Sequence, residues 1–115
     1  MTRARQALGR FGEDSAARWY EERGYRILAR NWRVREGELD LVVARDRVLV
    51  FCEVKTRSST RFGSAAEAVD IRKQRQVRAV ARRYLAEEVG RAPAAIRFDV
   101  AAVTPEGVTV IEAAF

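Results

Sequence analysis

The run Val48-Leu49-Val50-Phe51-Cys52-Glu53-Val54-Lys55 is almost wholly apolar until it ends in a carboxylate and an ammonium two positions apart. A continuous apolar stretch of this length, rich in β-branched and aromatic residues, reads as a strand buried on both faces. Residues two apart on a strand point to the same side, so Glu53 and Lys55 share one face. An unpaired charge in such a strand is expensive, which sets this Glu-x-Lys apart from the many that lie on solvated surfaces.

Upstream, Leu41-Val42-Val43-Ala44 is separated from this strand by Arg45-Asp46-Arg47, a pattern of apolar, turn, apolar that reads as a hairpin. A two-residue turn on Asp46-Arg47 pairs Arg45 with Val48 and sets Asp40 directly opposite Glu53. A three-residue turn would pair Asp40 with Cys52 instead and send the two acids to opposite faces. A type I′ turn prefers glycine at its second position, where this chain has Arg47. With the two-residue turn, carboxylates roughly 4 Å apart would repel by about 4 kcal/mol at an effective dielectric of 20. A divalent cation held by oxygen removes that penalty, and Lys55 offsets part of it.

The other elements follow from periodicity and punctuation. Residues 6–23 read as a helix, with Leu8, Phe11, Ala16, Trp19 and Tyr20 at helical spacing and Gly24 as the stop. Residues 25–33 and 38–44 read as strands. Ser64 with Glu67 reads as a capping box opening a long helix to about Glu88. Residues 96–103 and 108–111 complete the pattern as strands. The order is αβββαββ, an α/β fold with a central mixed sheet flanked by helices, and the long crossover makes the third and fourth strands parallel.

The 115 residues suit one domain, 1–115. No stretch is apolar enough to span a bilayer and no signal-peptide core follows Met1, so a cytoplasmic protein with no membrane association is expected. Histidine is absent and Cys52 is the sole cysteine, which excludes Ser-His-Asp and Cys-His chemistry and Cys/His zinc sites. Cys52 reads as a small core residue. Any catalysis must use carboxylates, lysine and an oxygen-bound metal.

The formal charge of +6 favours an anionic partner. Twenty arginines stand against two lysines, Lys55 and Lys73, so lysine in the Glu-x-Lys slot goes against the habit of the chain. Glu13 precedes Ala16, Ala17 and Tyr20 on the inward half of the first helix, where a solvated glutamate would not ordinarily lie. On the second helix Arg72, Arg75, Arg78 and Arg82 form a basic stripe opposite Val69, Val77, Val80 and Tyr84. Most such stripes are solvated faces; with Arg57, Arg61 and Lys73 at the same end, a nucleic-acid contact becomes the expectation.

Several stretches taken together resemble the YraN family of small bacterial proteins, of the restriction-endonuclease-like superfamily. They are Gly9-Arg10-Phe11-Gly12-Glu13-Asp14, Gly24 to Leu28, Arg30-Asn31-Trp32-Arg33, Gly37-Glu38-Leu39-Asp40, Val50 to Arg57, Phe62-Gly63 with Glu67-Ala68-Val69, and Arg97-Phe98-Asp99-Val100. The family is similar in fold to archaeal Holliday junction resolvases. That resemblance implies a restriction-endonuclease-like core with Asp40, Glu53 and Glu13 as ligands of Mg²⁺ or Mn²⁺, and with Lys55 orienting or deprotonating the attacking water. The proline that often precedes the superfamily's Asp is Leu39 here, and the family's hairpin glycine is Arg47.

The expected function is metal-dependent hydrolysis of DNA, more than RNA, with branched or damaged DNA as candidate substrates. Arg57, Arg61, Arg72, Lys73 and Arg75 are the expected nucleic-acid contacts. The alternative is a non-catalytic nucleic-acid-binding module of the same fold, and a remoter one is a structural partner protein using the Ala-rich second helix. A pure binder has no reason to hold carboxylates against phosphate, which favours the nuclease. A homodimer is the expected working unit, since one domain carries one site, with the Ala- and Val-containing face of the second helix or the last strand as its surface.

Overall fold

A computed structural model describes residues 3–57 and 69–115. The elements run α1 (Arg3–Glu22), β1 (Arg26–Val34), β2 (Gly37–Arg45), β3 (Val48–Thr56), α2 (Ile71–Glu88), β4 (Ala95–Thr104) and β5 (Gly107–Ile111). The five strands form one mixed sheet in the order β1-β2-β3-β4-β5. Only β3 and β4 run parallel, with Val48 beside Ala95 and Thr56 beside Val103. The intervening segment, which includes α2, is the long crossover that parallel pairing requires.

Each helix covers one face. On the α1 side, Ala16, Ala17 and Tyr20 pack on Leu41, Val43, Val50, Cys52, Ala101 and Val103. On the α2 side, Val77, Val80, Ala81 and Tyr84 pack on Leu39, Val42, Leu49 and Phe51. Alternating β3 residues thus serve both cores, which is why the strand reads as continuously apolar. Cys52 is an inert core residue, its thiol pKa driven up first by burial.

Two expectations are corrected. The second helix begins at Ile71, since Val69 and Asp70 are not helical. Asp70 is its N-cap, the carboxylate accepting the Lys73 amide at 2.9 Å. The buried Val69 packs on Val100 and fixes where the chain enters the helix. Ser64 and Glu67 lie outside the described residues. The second correction concerns the Val-containing face of α2, which is closed within the chain by β2 and β3 and so cannot meet a partner.

A second buried acid, Asp99, was not singled out by spacing. Its carboxylate accepts from the Tyr20 hydroxyl at 2.6 Å, from Arg97 Nε and Nη2 at 2.8 and 3.0 Å, and from the Ala113 amide at 3.1 Å. Fully partnered, it joins α1, β4 and the segment after β5 as a structural hub. Burial, first, and the neighbouring Cys52 and Asp99 push the Tyr20 hydroxyl pKa far up, so it stays a proton donor.

Candidate functional site

The β2–β3 turn sets the register of the site. Asp46 and Arg47 both have positive φ, 51° and 66°, the signature of a two-residue type I′ turn. Left-handed backbone costs a non-glycine residue roughly 1–2 kcal/mol. Two contacts to the segment before β4 hold Arg47 there: its carbonyl accepts the Ala94 amide at 2.8 Å, and its Nη2 donates to the Ala92 carbonyl at 2.9 Å. Arg45 pairs with Val48, and the register continues to Leu41 beside Cys52. The next pair in that register is Asp40 with Glu53.

At that pair the regular ladder stops. The Val54 amide donates to Asp40 Oδ2 at 2.9 Å, so the side chain of β2 takes the place of its backbone. On the other side of β2, Arg30 pairs with Leu41 and Trp32 with Leu39, leaving left-handed Asn31 (φ 52°) opposite Asp40. Leu39 and Val42 belong to the α2-side core, whereas Leu41 and Val43 belong to the α1-side core. Strict alternation cannot give that, so the faces slip by one at Asp40.

Toward α1, one carboxylate oxygen from each of Glu13, Glu38 and Asp40 lies within 4.8 Å of the other two. Glu13 is placed by the close approach of α1 to β3: a Cβ on Gly12 would stand 1.8 Å from Thr56 Oγ1. Asn31 Nδ2 donates to Glu13 Oε1 at 3.0 Å, and Glu38 accepts from Arg33 Nε at 2.8 Å. A cleft of about 550 Å³ opens over this cluster, bordered by Arg10, Glu13, Asn31, Arg33 and Glu38. Burial is the main cause that raises the Asp40 pKa; Glu38 and Glu13 raise it further, while the Val54 amide and Lys73 oppose them.

Toward α2, Glu53 is 2% exposed. Lys73 Nζ from the first turn of α2 lies 3.6 Å from its Oε1 and donates to Gln76 Oε1 at 3.4 Å. Burial, then the Asp40 charge, lift the Glu53 pKa to about 7, against the pull of Lys73 and Lys55. Both lysines of an arginine-rich chain therefore act on one buried carboxylate. Asp99 has four donors; among the described residues Glu53 meets the Lys73 ammonium at 3.6 Å and the backbone amide of Asp40. A buried acid whose pKa is raised by desolvation and by a neighbouring carboxylate is a candidate functional group.

Asp40 stands between two groups: Glu13 gathers with it on the α1 side, joined by Glu38, whereas Glu53 and Lys55 adjoin it on the α2 side, joined by Lys73, so that Glu53 is not part of the acidic cluster. Glu38 lies two positions before Asp40, so the period-two argument applied to Glu53 and Lys55 would have found it. Lys73, expected to face nucleic acid, is turned toward Glu53. Arg57, Arg72 and Arg75 are exposed. Arg78 leaves the stripe to sit over Phe98 and Phe115, 4.9 and 5.4 Å from their centroids. Arg61 lies outside the described residues.

The donor set fits a hard divalent cation. Its members are carboxylates only, and one oxygen from each of Glu13, Glu38 and Asp40 lies within 4.8 Å of the other two, the kind of all-oxygen grouping that hard divalent ions select. Together, fold and site define a mixed α/β protein whose central sheet carries an acidic centre flanked by two lysines. The chain belongs to the uncharacterised protein family UPF0102, which it matches over residues 12–103 and which is the family called YraN above. It is 60% identical to a UPF0102 protein of Frankia alni over 102 residues, 89% of this chain and 84% of the relative. A UPF0102 protein of Rhodococcus jostii is 50% identical over 97 residues (84% and 81%), and one of Pelotomaculum thermopropionicum is 48% identical over 103 residues (90% and 85%).

Proposed function

We propose that this protein is a Mg²⁺- or Mn²⁺-dependent nuclease of the restriction-endonuclease-like superfamily, related in fold to the archaeal junction resolvases, that hydrolyses phosphodiesters in DNA. The observation that carries the reading is the buried Glu53, whose pKa is raised by burial and by the charge of Asp40 and which Lys73 meets at 3.6 Å. The αβββαββ order supports it, because the acids come from the central strands and the first helix.

Asp40 and Glu53, with Glu13 and Glu38 on the α1 side, would hold the ion. When bound, the ion supplies a Lewis acid for the phosphate oxygens and lowers the pKa of a coordinated water. Lys55 keeps a positive charge on the Glu53 face, suited to orient a nucleophilic water and to balance charge on the phosphate. Lys73 neutralises Glu53 and holds it in place until a ligand arrives. Asn31 fixes the carboxylate of Glu13. The exposed Arg57, Arg72 and Arg75 would contact backbone phosphates, which gives affinity without reading sequence.

The test is incubation of the purified protein with duplex, single-stranded and four-way-junction DNA, with and without Mg²⁺ or Mn²⁺, alongside Glu53→Gln. Metal-dependent cleavage lost in the variant supports the proposal. Cleavage that survives the substitution comes from a contaminant. Binding without metal-dependent cleavage leaves a nucleic-acid-binding module of the same fold.

A further inference from the structure

The two edges of the sheet are built differently. The β1 edge carries Arg26, Arg30 and Arg33, a register shift between Ile27 and Ala29, and left-handed Asn31. Charges and bulges of this kind keep an open edge from pairing with another strand. The β5 edge, Gly107-Val108-Thr109-Val110-Ile111, has no charge, no proline and no register break, in a chain that is 33% charged. Among the described residues it is bonded on one side only, to β4.

A second feature borders the same edge. Leu8, Phe11, Ser15 and Trp19 follow one another at steps of three and four, hence along one face of α1. Leu8 is 38% exposed and Phe11 48%, two of the five large apolar side chains left open among the described residues. Phe11 and Trp19 share a groove of about 410 Å³ with Val108 of β5, rimmed by Ser15, Arg18, Glu22 and Arg23, the last stacked 3.8 Å over the Trp19 ring. The stripe therefore adjoins the unprotected edge, on the α1 face of the sheet.

We propose that β5 and the Leu8–Phe11–Trp19 stripe form an interface with a second copy of this chain. An antiparallel pair of identical strands is related by a two-fold axis, and that axis must stand perpendicular to the sheet to reverse the strand while keeping its faces. Pairing centred on Thr109 sets Val108 against Val110 of the other copy and joins the sheets into one of ten strands. The same axis keeps both α1 helices on one side, flanking the seam, so each apolar stripe meets its own copy. One operator thus satisfies the open edge and the exposed side chains together, as a self-complementary interface requires. A foreign strand would satisfy the edge but gives no reason for the stripe beside it. The inference is independent of the nuclease reading, because none of its residues belongs to the acidic centre.

The experiment is sedimentation velocity on the full chain, at moderate salt and over a concentration series reaching the millimolar range. The variants are Phe11→Glu, Thr109→Lys and, as a control, Ile71→Glu, an exposed apolar side chain at the start of α2. Circular dichroism checks that each is folded. The wild type and the control should dimerise, whereas Phe11→Glu and Thr109→Lys should each weaken the dimer by at least about tenfold. A wild type that stays monomeric throughout overturns the proposal. So does a dimer that survives either interface substitution, or one that only Ile71→Glu disrupts.

Discussion

Removing the charge of Glu53 should make the metal-free protein more stable at pH 8 and leave it unchanged near pH 4.5. In the folded protein this carboxyl ionises at about 7 against an ordinary value of 4.5, chiefly because burial withholds water from the anion. A folded-state pKa raised in this way contributes stability that is complete below pH 4.5 and is lost as pH rises through 7. At about 1.4 kcal/mol per pH unit, wild type carries a cost of roughly 3 kcal/mol above that window. Glutamine has nearly the shape of the protonated acid and does not titrate. Glu53→Gln should therefore gain roughly 3 kcal/mol at pH 8, on the order of 10 °C in Tm for a domain of this size.

The assay is thermal unfolding of both proteins from pH 4.5 to 9 with a chelator present, followed by circular dichroism. Groups distant from Glu53 titrate alike in both, so the difference between the two curves reports Glu53 together with its effect on the neighbouring Asp40, and it should open between pH 4.5 and 7. Mg²⁺ or Mn²⁺ added at pH 8 should raise the wild-type Tm by mass action and raise that of the variant less. Parallel curves across the whole range would refute the reasoning, as would a variant less stable than wild type at pH 8. Either result would mean that Lys73 and Lys55 already neutralise the carboxylate in full.

Gly12→Ala should destabilise the fold by about 1–3 kcal/mol, because the new methyl meets Thr56 Oγ1 at 1.8 Å, and adding Thr56→Ala should recover part of the loss in denaturant titrations. Asp70→Ala removes the N-cap of α2 and should cost about 1 kcal/mol by the same measurement. Asp99→Asn breaks a buried network of four hydrogen bonds and should cost roughly 3 kcal/mol or more, while the variant, if folded, keeps its stabilisation by metal in thermal melts. Lys55→Met should retain metal stabilisation and lose at least about 100-fold in the rate of DNA cleavage measured on gels.

Local patterning carried most of the fold. Alternation bounded the strands to within a residue or two, and the turn residues counted out the register from Arg45–Val48 toward Asp40–Glu53, because a hairpin is a short-range object. What escaped was set by contacts far along the chain. Arg47 holds a glycine conformation because the segment before β4 braces it, and Ala92 and Ala94 cannot be assigned that role from the turn itself. Ser64 and Asp70 both offer a cap to a following helix. The choice of Asp70 accords with burial of Val69 against Val100, a tertiary event.

The centre itself was half legible. Spacing singled out Glu53, Lys55 and the inward Glu13 as candidates within apolar patterns, and the register count added Asp40. It could not show that the pattern breaks again in space. Left-handed Asn31, the slip of faces at Asp40 and the replacement of a backbone partner by the Asp40 carboxylate all fall on neighbouring positions of β1, β2 and β3. Each lowers stability locally, and elsewhere the described sheet is regular apart from one register shift in β1. Departures from local rules that gather at one place, around a cluster of part-buried and buried acids, are what a chain selected only for folding would not keep. Their coincidence argues for a ligand at this junction independently of which reaction follows.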